Sequence, residues 1–386
     1  MNPQKQFCHN QNCWAYARKG EEHIVIHSHK EKRYRCKRCR RTFSQTKGTA
    51  LYRLHKPQEL VFVVLTLLAY GSPIQAIVAA FGLDERTVAR WQKEAGSQCR
   101  RVHEHLVEAG NVELSQVQAD ELRVRVVGGI MWLASALEVG SRLWLGGVVR
   151  VHRDRWLIRA LLWQIRECGS VAQILLCTDG LGCYAKQALL IFREALRTGR
   201  VGRPRLILPE GVMVARVKKR YERRRVVEVL REVVRGAETA VQERLMETQR
   251  SLTALINTAY VERLNATFRA RLAPLVRRSR AGVHEQGTLE AGMWLVGTCY
   301  NFLWAHRSLR QERGGGGGGG SSSSSSSSRE EPSASKWIER TPAQAAGLTD
   351  HRWTLEELMS FVVVPARIPK RRGRRPKWLL EAARAA

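Results

Sequence analysis

Two acidic residues stand in stretches where acids are costly. Asp120 interrupts Val117-Gln118-Ala119-Asp120-Glu121-Leu122, and Asp179 ends Leu175-Leu176-Cys177-Thr178-Asp179-Gly180. A carboxylate in or at the end of an apolar strand costs several kcal/mol of desolvation unless a cation or hydrogen bonds compensate. A third acid, Glu262, lies beside the face that Val261, Leu264 and Phe268 would form on a helix. Three carboxylates meeting at one point suit two hard divalent ions, Mg²⁺ or Mn²⁺, which prefer oxygen ligands. Such ions, ~3.5 to 4 Å apart, drive in-line phosphodiester chemistry by activating a water or a 3′-hydroxyl and stabilising the leaving oxygen. Taken singly, each acid has an ordinary reading: an edge-strand charge for Asp120, a turn or cap for Asp179, a solvated helix residue for Glu262. Their joint placement, on a first strand, after a fourth and on a late helix, favours a shared site.

A second constellation is built on sulfur. Cys8-x4-Cys13 and Cys36-x2-Cys39 are two close pairs separated by 22 residues that include the strand-like His23-Ile24-Val25-Ile26-His27. Pairs on tight turns can set four thiolates tetrahedrally around one structural zinc ion. A segment this small needs such a staple, because it buries little apolar surface alone. The second pair lies among cations, with Arg38, Arg40 and Arg41 placed to meet phosphates. Four unrelated buried cysteines are the plainer alternative, and His9 could replace a ligand or be a surface histidine. Cys99, Cys168, Cys177, Cys183 and Cys299 lack metal spacing and read as small core residues.

These residues need elements to position them. Residues 57–98 take a helical period: Leu60, Val64, Leu67 and Leu68, a Gly71-Ser72-Pro73 break, Ile74, Ile77 and Phe81, a Gly82 turn, then Val88 and Trp91. That spacing predicts a docking helix over 74–81 and a recognition helix from Asp84 to about Glu94, presenting Arg86, Arg90 and Lys93. An ordinary helical hairpin is the alternative. From about residue 112 the texture changes to strands at 112–127, 131–139 and 142–151, a helix at 153–167, an apolar strand at 172–178 and a helix at 183–198. Leu206 to Leu208 reads as a fifth strand and 216–250 as a basic helical region. An α/β mixed sheet with flanking helices in the order 3-2-1-4-5 makes strands one and four neighbours, so Asp120 and Asp179 would meet.

The charge fits this chemistry. The 386 residues carry 65 Lys and Arg against 35 Asp and Glu, a formal net charge of +30, with 44% apolar residues. That excludes a disordered basic tail and calls for a polyanionic partner, with double-stranded DNA the leading candidate. Residues 30–56 hold eleven Lys and Arg against one acid, and 367–377 seven against none. A membrane is disfavoured, because the most apolar stretch, 60–70, falls short of the ~20 residues a spanning helix needs. The N-terminus shows no secretory pattern, which points to a reducing cytoplasm. Seven glycines and eight serines at 314–328 read as a flexible linker with a reach of roughly 20 Å. The expected organisation is therefore a zinc-binding segment (1–56), a helix-turn-helix domain (57–110), a catalytic domain (112–312) with a basic helical insertion at about 213–252, a linker (313–336) and a C-terminal segment with a basic tail (337–386).

The order of Tyr34-Arg35-Cys36-Lys37-Arg38-Cys39-Arg40-Arg41-Thr42-Phe43-Ser44, the helix pair ending Thr87-Val88-Ala89-Arg90-Trp91, and then Asp120, Asp179 and Glu262 resembles bacterial insertion-sequence transposases of the insertion-sequence-one type. Val261-Glu262-Arg263-Leu264-Asn265, followed by Arg269, Arg271, Arg277 and Arg278, is similar to that family's glutamate helix and its basic extension. The resemblance implies a zinc ribbon, a helix-turn-helix and an RNase H-like core, with Asp120, Asp179 and Glu262 as a metal-binding triad. It implies cleavage and strand transfer at the ends of a mobile element, by a homodimer or larger oligomer in the bacterial cytoplasm. Asn265, Arg269, Arg271, Arg277 and Arg278 would contact DNA. The first cysteine pair and the glycine/serine tract depart from the family's pattern. A catalytically inactive DNA-binding regulator and a structure-selective nuclease are the alternatives.

Overall fold

The computed structural model describes residues 1–196, 203–223, 225–275, 285–312 and 337–365. Arg277, Arg278, the glycine/serine tract and the basic tail lie outside the described residues. The chain divides into two units, Met1–Arg53 with Val362–Ala386, and Leu54–Phe361.

The first unit is a three-stranded antiparallel sheet, β1 (Ile24–Ser28), β2 (Arg33–Cys36) and β3 (Thr42–Ser44), in that order. Its small core gathers Cys8, Ala15, Ile24, Tyr34, Cys36 and Phe43. Cys8, Tyr34 and Cys36 are almost fully buried, so two of the sulfurs belong to the core rather than to the surface.

The second unit opens with three helices, α1 (Gln58–Ala69), α2 (Ile74–Phe81) and α3 (Glu85–Leu106). Pro57 and Pro73 stand at the first two N-termini, where a missing N–H costs nothing. Gly82 ends α2 in the left-handed region (φ 60°), and Asp84 caps α3 by accepting the Thr87 amide at 3.1 Å. Two helices joined by a glycine turn follow the spacing, but α3 runs 22 residues rather than ending near Glu94. Its second half continues the buried stripe of Val88, Trp91, Ala95, Cys99 and Val102, against the nearly all-buried α8 (Gln286–Phe302). Among the described residues no helix is long and apolar enough to cross a membrane.

The centre of this unit is a mixed six-stranded sheet built from β4 (Gln116–Val126), β5 (Gly129–Glu138), β6 (Trp144–Arg150), β7 (Leu175–Asp179), β10 (Met213–Glu222) and β11 (Arg225–Arg235). The order is β11-β10-β7-β4-β5-β6. β4, β5 and β6 are antiparallel, and the turn into β5 uses Gly128 at φ 82°. After α4 (Arg155–Cys168), β7 returns parallel to β4, and after α5 (Cys183–Ile191), β10 lies parallel to β7.

Two expectations are corrected here. The strand beside β7 is Met213–Glu222, whereas the short β9 (Arg205–Ile207) pairs only with β8 (Glu194–Leu196) in a separate ladder. The basic stretch read as helical from 213 is a β-hairpin, with helix only in α6 (Glu238–Gln249). β-Branched residues explain it: Val214, Val217, Val226, Val227, Val229, Val233 and Val234 suit a pleated strand. Its charges pair across the ladder, Arg216 and Lys218 with Glu232, and Arg220 with Glu228. β7 pairs with only Met213–Val217 of β10, so the rest of the hairpin extends past the sheet as a basic ribbon.

The unit closes with α7 (Ala259–Arg271), which packs on β4 and β5, then α8, the two-residue strands β12 (Gln311–Glu312) and β13 (Trp337–Ile338), and the short helices α9 (Pro342–Ala345) and α10 (Leu355–Ser360).

Candidate functional site

The site forms where β7 ends. The parallel ladder between β4 and β7 stops at Ala119↔Thr178, so Asp120 is the first β4 residue beyond it and Asp179 the last residue of β7. The Asp179 carboxylate turns back to accept the Leu181 amide at 3.0 Å. Gly180 lets the chain leave close to Lys218, whose Cγ would lie 3.3 Å from any added Cβ. Asp120, Asp179 and Glu262 line one open cleft of about 540 Å³, together with Arg153, Lys218, Lys219 and Thr258.

α7 is clamped in place by β4. Gln118, wholly buried and two residues before Asp120, accepts the amides of Tyr260 and Val261 (both 3.0 Å) and donates to the Asn257 carbonyl (2.9 Å). It thus satisfies two otherwise unpartnered N–H groups at the start of α7 and fixes the height of Glu262 against the strand. One helical step beyond Glu262, Asn265 donates to Asp120 Oδ2 at 2.8 Å and accepts the Ser135 hydroxyl at 3.3 Å. The expected DNA contact for Asn265 is therefore corrected. The side chain is only 1% exposed and holds a carboxylate. Spacing of i, i+3 puts it on the helix face that Glu262 borders, toward the sheet.

The acids are not electrically alike. Burial pushes Asp120 up, against the Glu121 amide, with Asp179 and Glu262 adding to the rise and Asn265 opposing it. Glu262 is partly shielded from water, which works against ionisation, yet its partners hold it below its usual range. The Lys219 ammonium donates to Oε1 at 2.8 Å, and the Thr258 hydroxyl to the same oxygen at 2.9 Å.

A fourth acid, Glu121, was not read from the sequence. Asp120, Glu121 and Asp179 each offer an oxygen within 4.8 Å of the others, whereas Glu262 stands outside that tight group, across the same cleft. Burial raises Glu121 to about 7, against the Tyr184 hydroxyl and Arg153. Arg153 bonds Glu121 Oε2 through Nε and Nη2 (2.9 and 2.7 Å) and reaches Asp179 Oδ2 at 3.0 Å. Strand alternation sends neighbours to opposite faces, so Asp120 in a strand argues against using Glu121. The available signal was the Asp120-Glu121 pair in a buried strand, with Arg153 just ahead of the α4 N-cap Asp154. Oxygen donors at these separations suit a hard divalent cation.

The other predicted residues divide clearly. Cys8, Cys13, Cys36 and Cys39 form a group whose sulfurs all lie within 4.8 Å, with Cys8–Cys39 at 3.6 Å and Cys13–Cys36 at 4.0 Å. Those separations match the ~3.8 Å edge of a tetrahedron with ~2.3 Å metal–sulfur bonds. Cys39 is drawn down to about 7, its burial outweighed by hydrogen bonds that begin with the Arg41 amide and the Cys8 thiol. His9 is no part of this group; its ring packs on Phe7 and Phe43 at centroid distances of 4.4 and 4.9 Å. Arg38, Arg40, Arg41, Arg86, Arg90 and Arg269 are exposed. Lys93 is exposed but bound to Glu285 at 2.9 Å. Arg271 stacks on Tyr70 and Trp304, 4.0 and 4.8 Å from the ring centroids, and so ties α7 to the N-terminal helices of the unit. No protein-family model matches this chain, and no curated protein matches it.

Proposed function

We propose that this chain is a DNA transposase that binds the ends of its own element and cuts and rejoins strands with divalent metal at Asp120, Asp179 and Glu262. The observation that carries the reading is the convergence of these three acids, 142 residues apart at the extremes, on one open cleft edged by Lys218 and Lys219. A cleft lined by both acids and cations suits a phosphodiester held at a metal site. Magnesium, when bound, would activate the attacking oxygen and stabilise the leaving one. The chain's own part is to hold the donors: Gln118 and Asn265 fix α7 and Asp120, and the Leu181 amide fixes Asp179. The cationic ribbon of β10 and β11 and the exposed arginines of α3 supply backbone affinity. Three antiparallel strands followed by a parallel return beside the first support an RNase H-like reading of the core. A zinc ion at the four cysteines would staple the first unit, as that donor set prefers.

The test is strand transfer on DNA carrying the inverted repeats that flank the coding sequence. Asp120→Asn, Asp179→Asn and Glu262→Gln should each lower cleavage and joining by at least about 10³-fold while end binding persists. One observation favours a second reading, a DNA-binding regulator without catalysis. Arg153 and Lys219 already neutralise Asp179 and Glu262. If the wild-type protein binds the ends but neither cuts nor joins them with Mg²⁺ or Mn²⁺, that reading replaces the first.

A further inference from the structure

A second, wholly different cavity takes the residue that follows Glu262 on α7. It is an open hollow of about 530 Å³ lined by Arg263, His306, Arg307, Ser308, Arg310 and Trp337. Three guanidiniums line it, and no carboxylate does among the described residues. Arg142, stacked on Tyr260 at 3.9 Å, adds positive field at His306: burial first, then Arg142 and Arg263, depress it to about 4. His306 is thus neutral near pH 7, and its Nδ1 shares a 2.9 Å hydrogen bond with the Ser308 hydroxyl. Trp337 contributes an aromatic edge, 37% exposed, with the Arg310 guanidinium 4.2 Å from its ring centroid. Gathering like charges is unfavourable unless an anion joins them, and guanidinium forks match phosphate oxygens in geometry as well as charge. An aromatic surface beside them suits a base that has left the duplex stack.

We infer that this pocket holds an unpaired nucleotide of the DNA strand that passes the carboxylate cleft, its phosphate on Arg263, Arg307 and Arg310 and its base against Trp337. The inference rests on the DNA-processing reading above. It goes further by giving single-stranded DNA its own site. Arg263 directly follows Glu262 on α7, so this one helix carries a residue of each cavity.

The experiment measures binding of the full-length protein to fluorescein-labelled end duplexes in buffer without added magnesium, so that no chemistry is required. One duplex is blunt and one carries a three-nucleotide single-stranded extension. Wild type should bind the extended DNA more tightly. Trp337→Ala should weaken that binding by roughly 5- to 150-fold, the range for one lost base stack, and leave blunt binding almost unchanged. Trp337→Phe should restore part of the difference, and the exposed pair Arg307→Ala/Arg310→Ala should abolish it. Circular dichroism would verify that each variant is folded. If wild type binds both DNAs equally, or the variants keep the full preference, the pocket assignment is wrong while the DNA reading survives. If neither DNA binds, both fail.

Discussion

At the scale of single residues, the site depends on side chains that never meet the substrate. Gln118 is the clearest case, because it is wholly buried and bonded on three sides to the start of α7. Gln118→Ala should cost about 1 to 3 kcal/mol of stability, since two helix N–H groups lose their acceptor. It should also lower strand transfer more than end binding, because Glu262 loses its height against β4; equal losses in both would show that Gln118 only stabilises the fold. Glu108 offers a pH-dependent counterpart. Burial raises it to about 7, with Glu104 and Glu167 adding to the rise and Arg100 opposing it, and His103 Nε2 stands 3.9 Å away. His103, buried and depressed to about 4, is neutral over most of the same range. The folded state therefore keeps a proton on Glu108 that the unfolded state releases between about pH 4.5 and 7, and stability from this group falls as pH rises through that window. Glu108→Gln should match wild type near pH 4.5 and exceed it by on the order of 1 to 3 kcal/mol at pH 7.5. Urea titrations at both pH values test this, and a difference independent of pH would remove the assignment.

At the scale of elements, what the sequence made legible was whatever had a period. The apolar runs of β4 to β7 bounded by glycine turns, and the 3.6-residue stripes of α1 to α3, placed Asp120, Asp179 and the helix pair close to where they lie. The hairpin of β10 and β11 escaped because its lysines, arginines and glutamates look like a solvated helix, and its cross-strand ion pairs are invisible until the register is known. Glu121 escaped for the opposite reason, since a clean period argues against two neighbours sharing one site. The close approach of α3 to α8 was likewise hidden. A Cβ added at Gly96 would sit 2.5 Å from the backbone of Ala291, and one added at Gly297 would sit 2.3 Å from the Trp144 ring. These glycines are required by proximity, not by an unusual φ. Gly96→Ala should therefore destabilise by about 1 to 3 kcal/mol, even though alanine is the better helix former by about 1 kcal/mol. A denaturation midpoint equal to or above wild type would mean that α3 and α8 are not packed backbone to backbone.

At the scale of the whole molecule, the +30 charge has to be divided between cations free to meet DNA and cations already engaged. Arg216 and Lys218 share Glu232, Lys219 holds Glu262, Lys93 holds Glu285, Arg153 bridges two acids and Arg271 lies on two aromatic rings. Arg86 and Arg90, by contrast, are exposed on the first turns of α3. If the protein neutralises ~6 to 10 phosphates, log K should fall against log salt with a slope of about −0.9 per phosphate, a loss of ~10³ to 10⁵ between 50 and 200 mM. Arg86→Ala and Arg90→Ala should each flatten that slope by about 0.9 if they meet phosphates, whereas a base contact would lower affinity and leave the slope alone. Lys93→Ala should change the slope less than either, because its ammonium must first leave Glu285. Arg271→Ala should act mainly on stability, through lost stacking. Salt titrations of all four variants on one end duplex decide the point. If Lys93→Ala and Arg271→Ala flatten the slope as much as Arg86→Ala and Arg90→Ala do, the ion pairs and stacks of the free protein do not govern which cations DNA engages.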